Sequence, residues 1–229
     1  MRKKHIGLFL VFLIALQPLF AQQNIPFWKE IQAFKKEDSL YQQPKNAILF
    51  VGSSSFRIWK DVQQAFPKHI IINRGFGGST LPDVIRYTND IIIPYKPKQI
   101  VIYCGDNDLA SSDTVSAELV FQRFDSLFHL IRTALPKASV VFVSIKPSPS
   151  RWQLKEKMIT ANHLIHDFLQ TEKNTAFVDV WSPMLTTEGK PREELFQADR
   201  LHMNSEGYAI WQKAIEPYLA KTKKPSKKD

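Results

Sequence analysis

Five short apolar runs, separated by stretches of helical periodicity, place the strongest limit on how this chain can fold. They lie at residues 47–51, 69–72, 99–103, 139–145 and 176–180. The runs are rich in β-branched residues and nearly continuous in apolar character. A strand with one wet face would alternate instead, so these read as strands buried on both faces, as in a parallel sheet. The intervening segments read as helices. Residues 81–93 open with Pro82 near a first-turn position. Residues 117–135 repeat Leu119, Val120, Phe124, Leu127, Phe128 and Ile131 at steps of one face. Residues 153–170 do the same, and 205–219 close the series with Ser205 as candidate N-cap. A lead-in over 22–46 carries a helical pattern around Phe27, Ile31 and Phe34. Strands alternating with helices imply βαβ crossovers and a parallel sheet. The expected fold class is α/β: a three-layer α/β/α sandwich around a flavodoxin-like five-stranded parallel sheet. Ligands in such folds bind outside the carboxyl ends of the strands.

The two ends of the chain differ from this body. Arg2, Lys3 and Lys4 precede an 11-residue apolar run, 6–16, followed by Gln17-Pro18 and Ala21. This is the layout of a signal peptide over 1–21, removed on export to the periplasm or beyond. The run is too short for a spanning helix, which needs about 20 residues. No Cys follows it to carry a lipid, so no stable membrane anchor is expected. Charge is concentrated at the same ends. Of the formal +9, the leader holds +3 and the tail 220–229 holds +4, leaving +2 for the body. A nucleic-acid binder would carry a basic stripe on its fold. Here a basic, disordered tail is expected and no nucleic-acid partner. Cys104 is the sole cysteine, so no internal disulfide is possible, and its place at a strand end marks it as a small buried hydrophobe.

Four short motifs carry the chemistry. Gly52-Ser53-Ser54-Ser55 ends the first apolar run, where a serine is displayed at a strand-to-helix turn; this segment does not itself say which serine reacts. Gly75-Phe76-Gly77-Gly78-Ser79 follows the second run, and its glycines let backbone N–H groups face a ligand closely. The spacing does not fit a dinucleotide-binding loop and no Gly-Lys-Ser/Thr follows. Gly105-Asp106-Asn107-Asp108 follows the third run, and a side-chain amide there can donate to a developing negative oxygen. Asp199 and His202 are spaced for the carboxylate to accept from imidazole Nδ1, leaving Nε2 free to take a proton. His163 and His166, one helical turn apart, have no acidic or Cys cluster beside them and read as a solvated face with no metal.

In this order the four segments resemble the blocks of the SGNH hydrolase superfamily, also called GDSL-like lipases/acylhydrolases, over about 47–219. The layout is similar to the platelet-activating-factor acetylhydrolase-like branch, which suggests short acyl groups. The resemblance implies metal-free and cofactor-free ester hydrolysis through an acyl-serine. It makes Ser54 the nucleophile, His202 the base and Asp199 its partner. The N–H groups of Ser54 and Gly78, with the Asn107 amide, become the oxyanion donors. The family's first block usually begins Gly-Asp-Ser, whereas this chain has Ser53 at the Asp position, which bears on loop geometry and substrate preference.

The expected activity is that of an exported serine esterase acting on small-molecule or carbohydrate esters with short-chain acyl or acetyl groups. An O-acyltransferase acting on a carbohydrate would use the same residues, and a non-catalytic binding module would keep the same fold. Phe76, Lys146, Arg151 and Trp152 fall in loops expected at the site's edge, where an aromatic and cationic rim suits a sugar ester or lipid headgroup; Phe76 and Trp152 are the substrate-binding candidates.

Overall fold

The computed structural model describes residues 25–221. The leader expected over 1–21, and the tail beyond Lys221, lie outside the described residues. Five strands form one all-parallel sheet in the order β2-β1-β3-β4-β5. They are β1 (Ile48–Gly52), β2 (Ile71–Gly75), β3 (Gln99–Tyr103), β4 (Ser139–Val143) and β5 (Thr175–Val178). Ile48 stands level with Ile71 on one side and Gln99 on the other, and the ladder ends at Gly52 against Gly75 and Tyr103. This is the expected three-layer, flavodoxin-like arrangement.

The continuous apolar runs have a direct physical reason. Successive side chains point to opposite faces, and both faces are covered. Leu49, Val51, Ile100, Ile102, Val140 and Phe142 pack on one side, against helices α1 (Trp28–Leu40), α7 (Ala117–Ala134) and α8 (Lys155–Thr171). Ile48, Phe50, Val101, Tyr103, Val141 and Val143 pack on the other, against α2 (Ser54–Arg57), α3 (Val62–Ala65) and α9 (Ser205–Ile215). Each fully buried side chain of this size contributes about 1.5–3 kcal/mol. Three shorter helices, α4 (Leu81–Arg86), α5 (Thr88–Ile91) and α6 (Asp106–Ser111), complete the set.

Several boundaries differ from expectation: β1 and β5 shift by a residue or two, β4 ends at Val143, and α9 ends at Ile215. β2 begins and ends later than 69–72, because its second half is polar: Arg74 is buried there and satisfied by Tyr95 at 2.6 Å and Asp38 at 2.5 Å. The helix expected over 81–93 is divided. Asp83 accepts from the Thr80 N–H at 2.9 Å to start α4, Tyr87 leaves helical geometry at ψ 9°, and a 3₁₀ turn at Ile93–Tyr95 holds Pro94. The helix expected from 153 starts at Lys155, after a 3₁₀ segment Pro149–Leu154. Ser205 is not the cap of α9. Asn204 is, its Oδ1 accepting from Glu206 N at 3.0 Å and Gly207 N at 3.1 Å. At the far end, Ala220 and Lys221 are held to the body: Ala220 N donates to Gln99 Oε1 at 2.8 Å, and Lys98 donates to the Lys221 carbonyl.

Candidate active site

The site is built at the carboxyl ends of β1, β2 and β3. Gly52 closes β1 at φ 130°, and a Cβ there would sit 1.9 Å from the Tyr103 carbonyl oxygen. Only glycine allows β1 to run this close to β3 before turning into α2. The turn buries Ser53 at 1 % exposure and Ser55 at 2 %, and leaves Ser54 partly open as the first residue of α2. Geometry therefore distinguishes the three serines. Ser54 Oγ lies 3.0 Å from His202 Nε2, a hydrogen-bonding distance spanning 148 residues of chain.

The histidine is aimed by its own loop. His202 Nδ1 stands 2.6 Å from Asp199 Oδ2, while Asp199 Oδ1 accepts from the Leu201 and His202 amides, each at 2.9 Å. Partial burial would raise the Asp199 carboxyl, but the His202 ring and these two amides outweigh it and bring it down to about 2. The carboxylate is thus ionised across the working range and fixes the ring with Nδ1–H toward Asp199. Arg200 makes the tight turn with φ 56°, its carbonyl accepting from Ser150 N at 3.0 Å and its guanidinium pairing with Glu193. α9 is tied to the serine turn by Tyr208, whose hydroxyl donates to the Ser55 carbonyl at 2.7 Å.

The second and third motifs meet opposite. In the glycine loop, Gly77 N donates to Glu30 Oε2 at 2.8 Å, and a Cβ on Gly77 would strike the Phe27 ring at 2.1 Å. The Gly78 N–H takes no partner among the described residues. A Cβ on Gly78 would lie 3.8 Å from Asn107 Nδ2, so the two potential donors are neighbours. Asn107 Nδ2 donates to the Ser79 carbonyl at 3.0 Å, and its Oδ1 accepts from Arg151 at 2.8 Å.

Behind Asn107 lies a buried charged cluster. Asp106 Oδ2 accepts from Tyr103 OH at 3.1 Å and Lys146 Nζ at 3.3 Å, and forms an ion pair with Arg151 Nη1 at 3.1 Å. Burial alone would raise the Asp106 carboxyl. Lys146 and Arg151 outweigh it and hold the group below the usual carboxylate range. On the other side Asp108 accepts from Leu81 N at 2.9 Å and pairs with Arg123 at 2.7 Å. Its burial dominates those partners and pushes it up to about 6.

The expected rim is corrected by this arrangement. Phe76 is fully buried, its ring edge-on to Phe27 at 5.3 Å and to Tyr87 at 5.9 Å, because the glycine loop turns its one large side chain inward under α1. Lys146 is buried at 1 % exposure, and the Arg151 side chain is 16 % exposed; both cations serve the Asp106 cluster and not a surface. Trp152 is half-buried and stacks on Trp181 at 5.8 Å, with Lys155 over its ring. Cys104 is buried at the end of β3, and burial pushes its thiol up, away from nucleophilic use. Among the described residues no His, Cys, Asp and Glu cluster could hold a metal ion. The contacts of Arg151 and Glu30 escaped sequence reading, since both reach the site from segments distant in the chain.

The profile of the GDSL-like Lipase/Acylhydrolase family matches residues 38–210. No curated protein matches the chain. Among solved structures, the chain is similar to a protein from Streptococcus pneumonia described provisionally as a platelet activating factor, with TM-score 0.72, 20 % identity, and coverage of 88 % of this chain and 94 % of the other. It is similar to a GDSL-like lipase from Bacteroides thetaiotaomicron, with TM-score 0.71, 23 % identity, and coverage of 82 % and 96 %. A catalytic mutant of an acetylxylan esterase from Geobacillus stearothermophilus follows, with TM-score 0.62, 15 % identity, and coverage of 79 % and 98 %. At these identities the likeness is one of fold.

Proposed function

The chain belongs to the GDSL-like lipase/acylhydrolase family, and we propose that within it the protein is an exported serine esterase removing short acyl or acetyl groups. The observation that carries the reading is the line Ser54 Oγ to His202 Nε2 at 3.0 Å and His202 Nδ1 to Asp199 at 2.6 Å. Ser54 Oγ attacks the ester carbonyl carbon as His202 Nε2 takes its proton. The new oxyanion is met by the N–H groups of Ser54 and Gly78 and by the Asn107 amide. His202 returns the proton to the leaving alcohol, giving acyl-Ser54. A water then attacks the acyl carbon, losing its proton to His202, and Ser54 leaves with that proton as the acid departs. Asp199 stabilises the imidazolium without taking the proton itself. No cofactor enters these steps.

The substrate class rests on lesser observations. The Trp152–Trp181 pair offers an aromatic edge beside the Arg151 turn, which suits the apolar face of a sugar ring. One structural neighbour is named as an acetylxylan esterase. Among the described residues no helix is long and apolar enough to cross a membrane. The basic and apolar pattern of residues 1–21 supports export to the periplasm or medium; the intact mass of the exported protein checks it, with loss of 21 residues expected.

The test of activity is p-nitrophenyl acetate hydrolysis by the wild type beside Ser54→Ala and His202→Ala. Each variant is expected to lose roughly 10³-fold or more in kcat while keeping its fold. A wild-type rate no higher than that of both variants would overturn the esterase reading.

A further inference from the structure

We propose that Arg151 is a positioning residue for hydrolysis: it locks the Asn107 amide in the one orientation that leaves an N–H free for the oxyanion. The inference rests on the esterase reading above. Each partner of Asn107 can bond in one sense only. A guanidinium only donates and a backbone carbonyl only accepts. Arg151 Nη2 holds Oδ1 at 2.8 Å, and the Ser79 carbonyl holds Nδ2 at 3.0 Å. Both partners demand the same flip of the amide. Turned over, its NH₂ would face the guanidinium and its oxygen the carbonyl, and both bonds would become repulsions. With one Nδ2 hydrogen on Ser79, the second takes no partner among the described residues, and Nδ2 lies 3.8 Å from where a Cβ on Gly78 would stand. The guanidinium charge on Oδ1 also draws electron density from the amide and makes that remaining N–H a stronger donor.

Arg151 is itself held in place. Its Nη1 lies 3.1 Å from Asp106 Oδ2, and its backbone N–H donates to the Ser148 carbonyl at 3.0 Å. The neighbouring Ser150 N–H donates to the Arg200 carbonyl at 3.0 Å. One turn thus clamps the oxyanion side and the Asp199–His202 loop together.

The test is a double-mutant cycle on kcat and KM for p-nitrophenyl acetate, using wild type, Arg151→Gln, Asn107→Ala and the double variant, with thermal unfolding of each. Arg151→Gln is expected to lower kcat about tenfold with KM within about twofold, since the lost interaction acts in the transition state. In the Asn107→Ala background the same substitution should change kcat by less than about twofold, since its effect runs through Asn107. Arg151→Lys, which keeps charge without the fork, should retain part of the rate, and it replaces Arg151→Gln in the cycle if that variant does not fold. An equal fold-loss in both backgrounds would overturn the inference, as would a rise in KM with kcat unchanged. An inactive wild type would instead remove the esterase reading, and this inference with it.

Discussion

Asp106→Asn tests the buried cluster that supports the site. Three groups converge on Asp106 Oδ2 within 3.3 Å: Tyr103 and Lys146 donate hydrogen bonds to it, and Arg151 pairs with it as a second cation. The wild-type cluster therefore holds one negative and two positive charges, with Lys146 at 1 % and Asp106 at 3 % exposure. Removing the anion leaves two cations facing each other with little water. Breaking such a buried pair costs about 3–5 kcal/mol. The asparagine oxygen still accepts one hydrogen bond, which returns about 1 kcal/mol. A net loss of about 3 kcal/mol is expected, which for a domain of this size lowers Tm by roughly 6–12 °C. Urea denaturation at neutral pH measures the first figure and a thermal scan the second. Burial already pushes the Lys146 ammonium down, so the deficit should shrink at alkaline pH as that group releases its proton. Asp106→Asn combined with Lys146→Met should be less destabilised than the sum of the two single variants, since the double variant removes the unmatched Lys146 charge. A loss below about 1 kcal/mol for Asp106→Asn, or simple additivity in the double variant, would refute this account of the cluster.

Other expectations follow from single contacts. Gly52→Ala places a methyl on the Tyr103 carbonyl at a positive φ, so it should destabilise the fold by several kcal/mol, on the order of 3 or more, with soluble yield and urea midpoint as readouts. Phe76→Ala should cost about 3–5 kcal/mol of stability as a core truncation yet leave KM for p-nitrophenyl acetate unchanged; a KM shift without loss of stability would return Phe76 to the site. Asp108 has a folded-state pKa of about 6 against an ordinary 3.8, so the native state binds its proton more tightly than the unfolded chain does. Stability from this group therefore rises as pH falls through that window, by up to about 3 kcal/mol, and is lost again as pH rises through about 6. Urea titrations at pH 4 and pH 7 should show this gain in wild type and not in Asp108→Asn. Trp152→Ala should raise KM for an acetylated oligosaccharide by about tenfold, worth 1.4 kcal/mol, while leaving p-nitrophenyl acetate kinetics within about twofold.

The layered sheet was legible because burial on both faces leaves a mark that needs no partner: Leu49 and Phe50 point opposite ways and both must be apolar. Cap and strand limits were less legible where polar side chains do the work. β2 hides its second half because Arg74 finds Asp38 and Tyr95 from other elements, and Asn204 took the cap from Ser205 through its extended backbone. The resemblance named Ser54, Asp199 and His202 as one group; in the structure Ser54 Oγ lies 3.0 Å from His202 Nε2, and His202 Nδ1 lies 2.6 Å from Asp199 Oδ2. The spacing of Ser53, Ser54 and Ser55 carries no such information; the choice depends on which hydroxyl a residue far along the chain can reach. Lys146 and Arg151 looked like a surface rim because cations in a loop with Pro147 and Pro149 usually are. Only the fold puts Asp106 beneath them. Ser53, at the position where the family usually has Asp, is buried with its hydroxyl unpartnered among the described residues, and the loop still brings Ser54 within 3.0 Å of His202.

On the proposed serine mechanism, the separation of 148 positions between Ser54 and His202 makes hydrolytic competence a report on the completed fold. A loop of that length closes only when β1, the whole β3-β4-β5 side of the sheet and α9 are assembled, so its entropy is overcome by many contacts at once. A partly folded chain contains the serine and the histidine but holds them apart, and its hydroxyl is no more reactive than that of free serine. Recovery of esterase turnover during refolding should therefore follow the slowest structural phase, lagging behind the return of helical signal from α7 and α8.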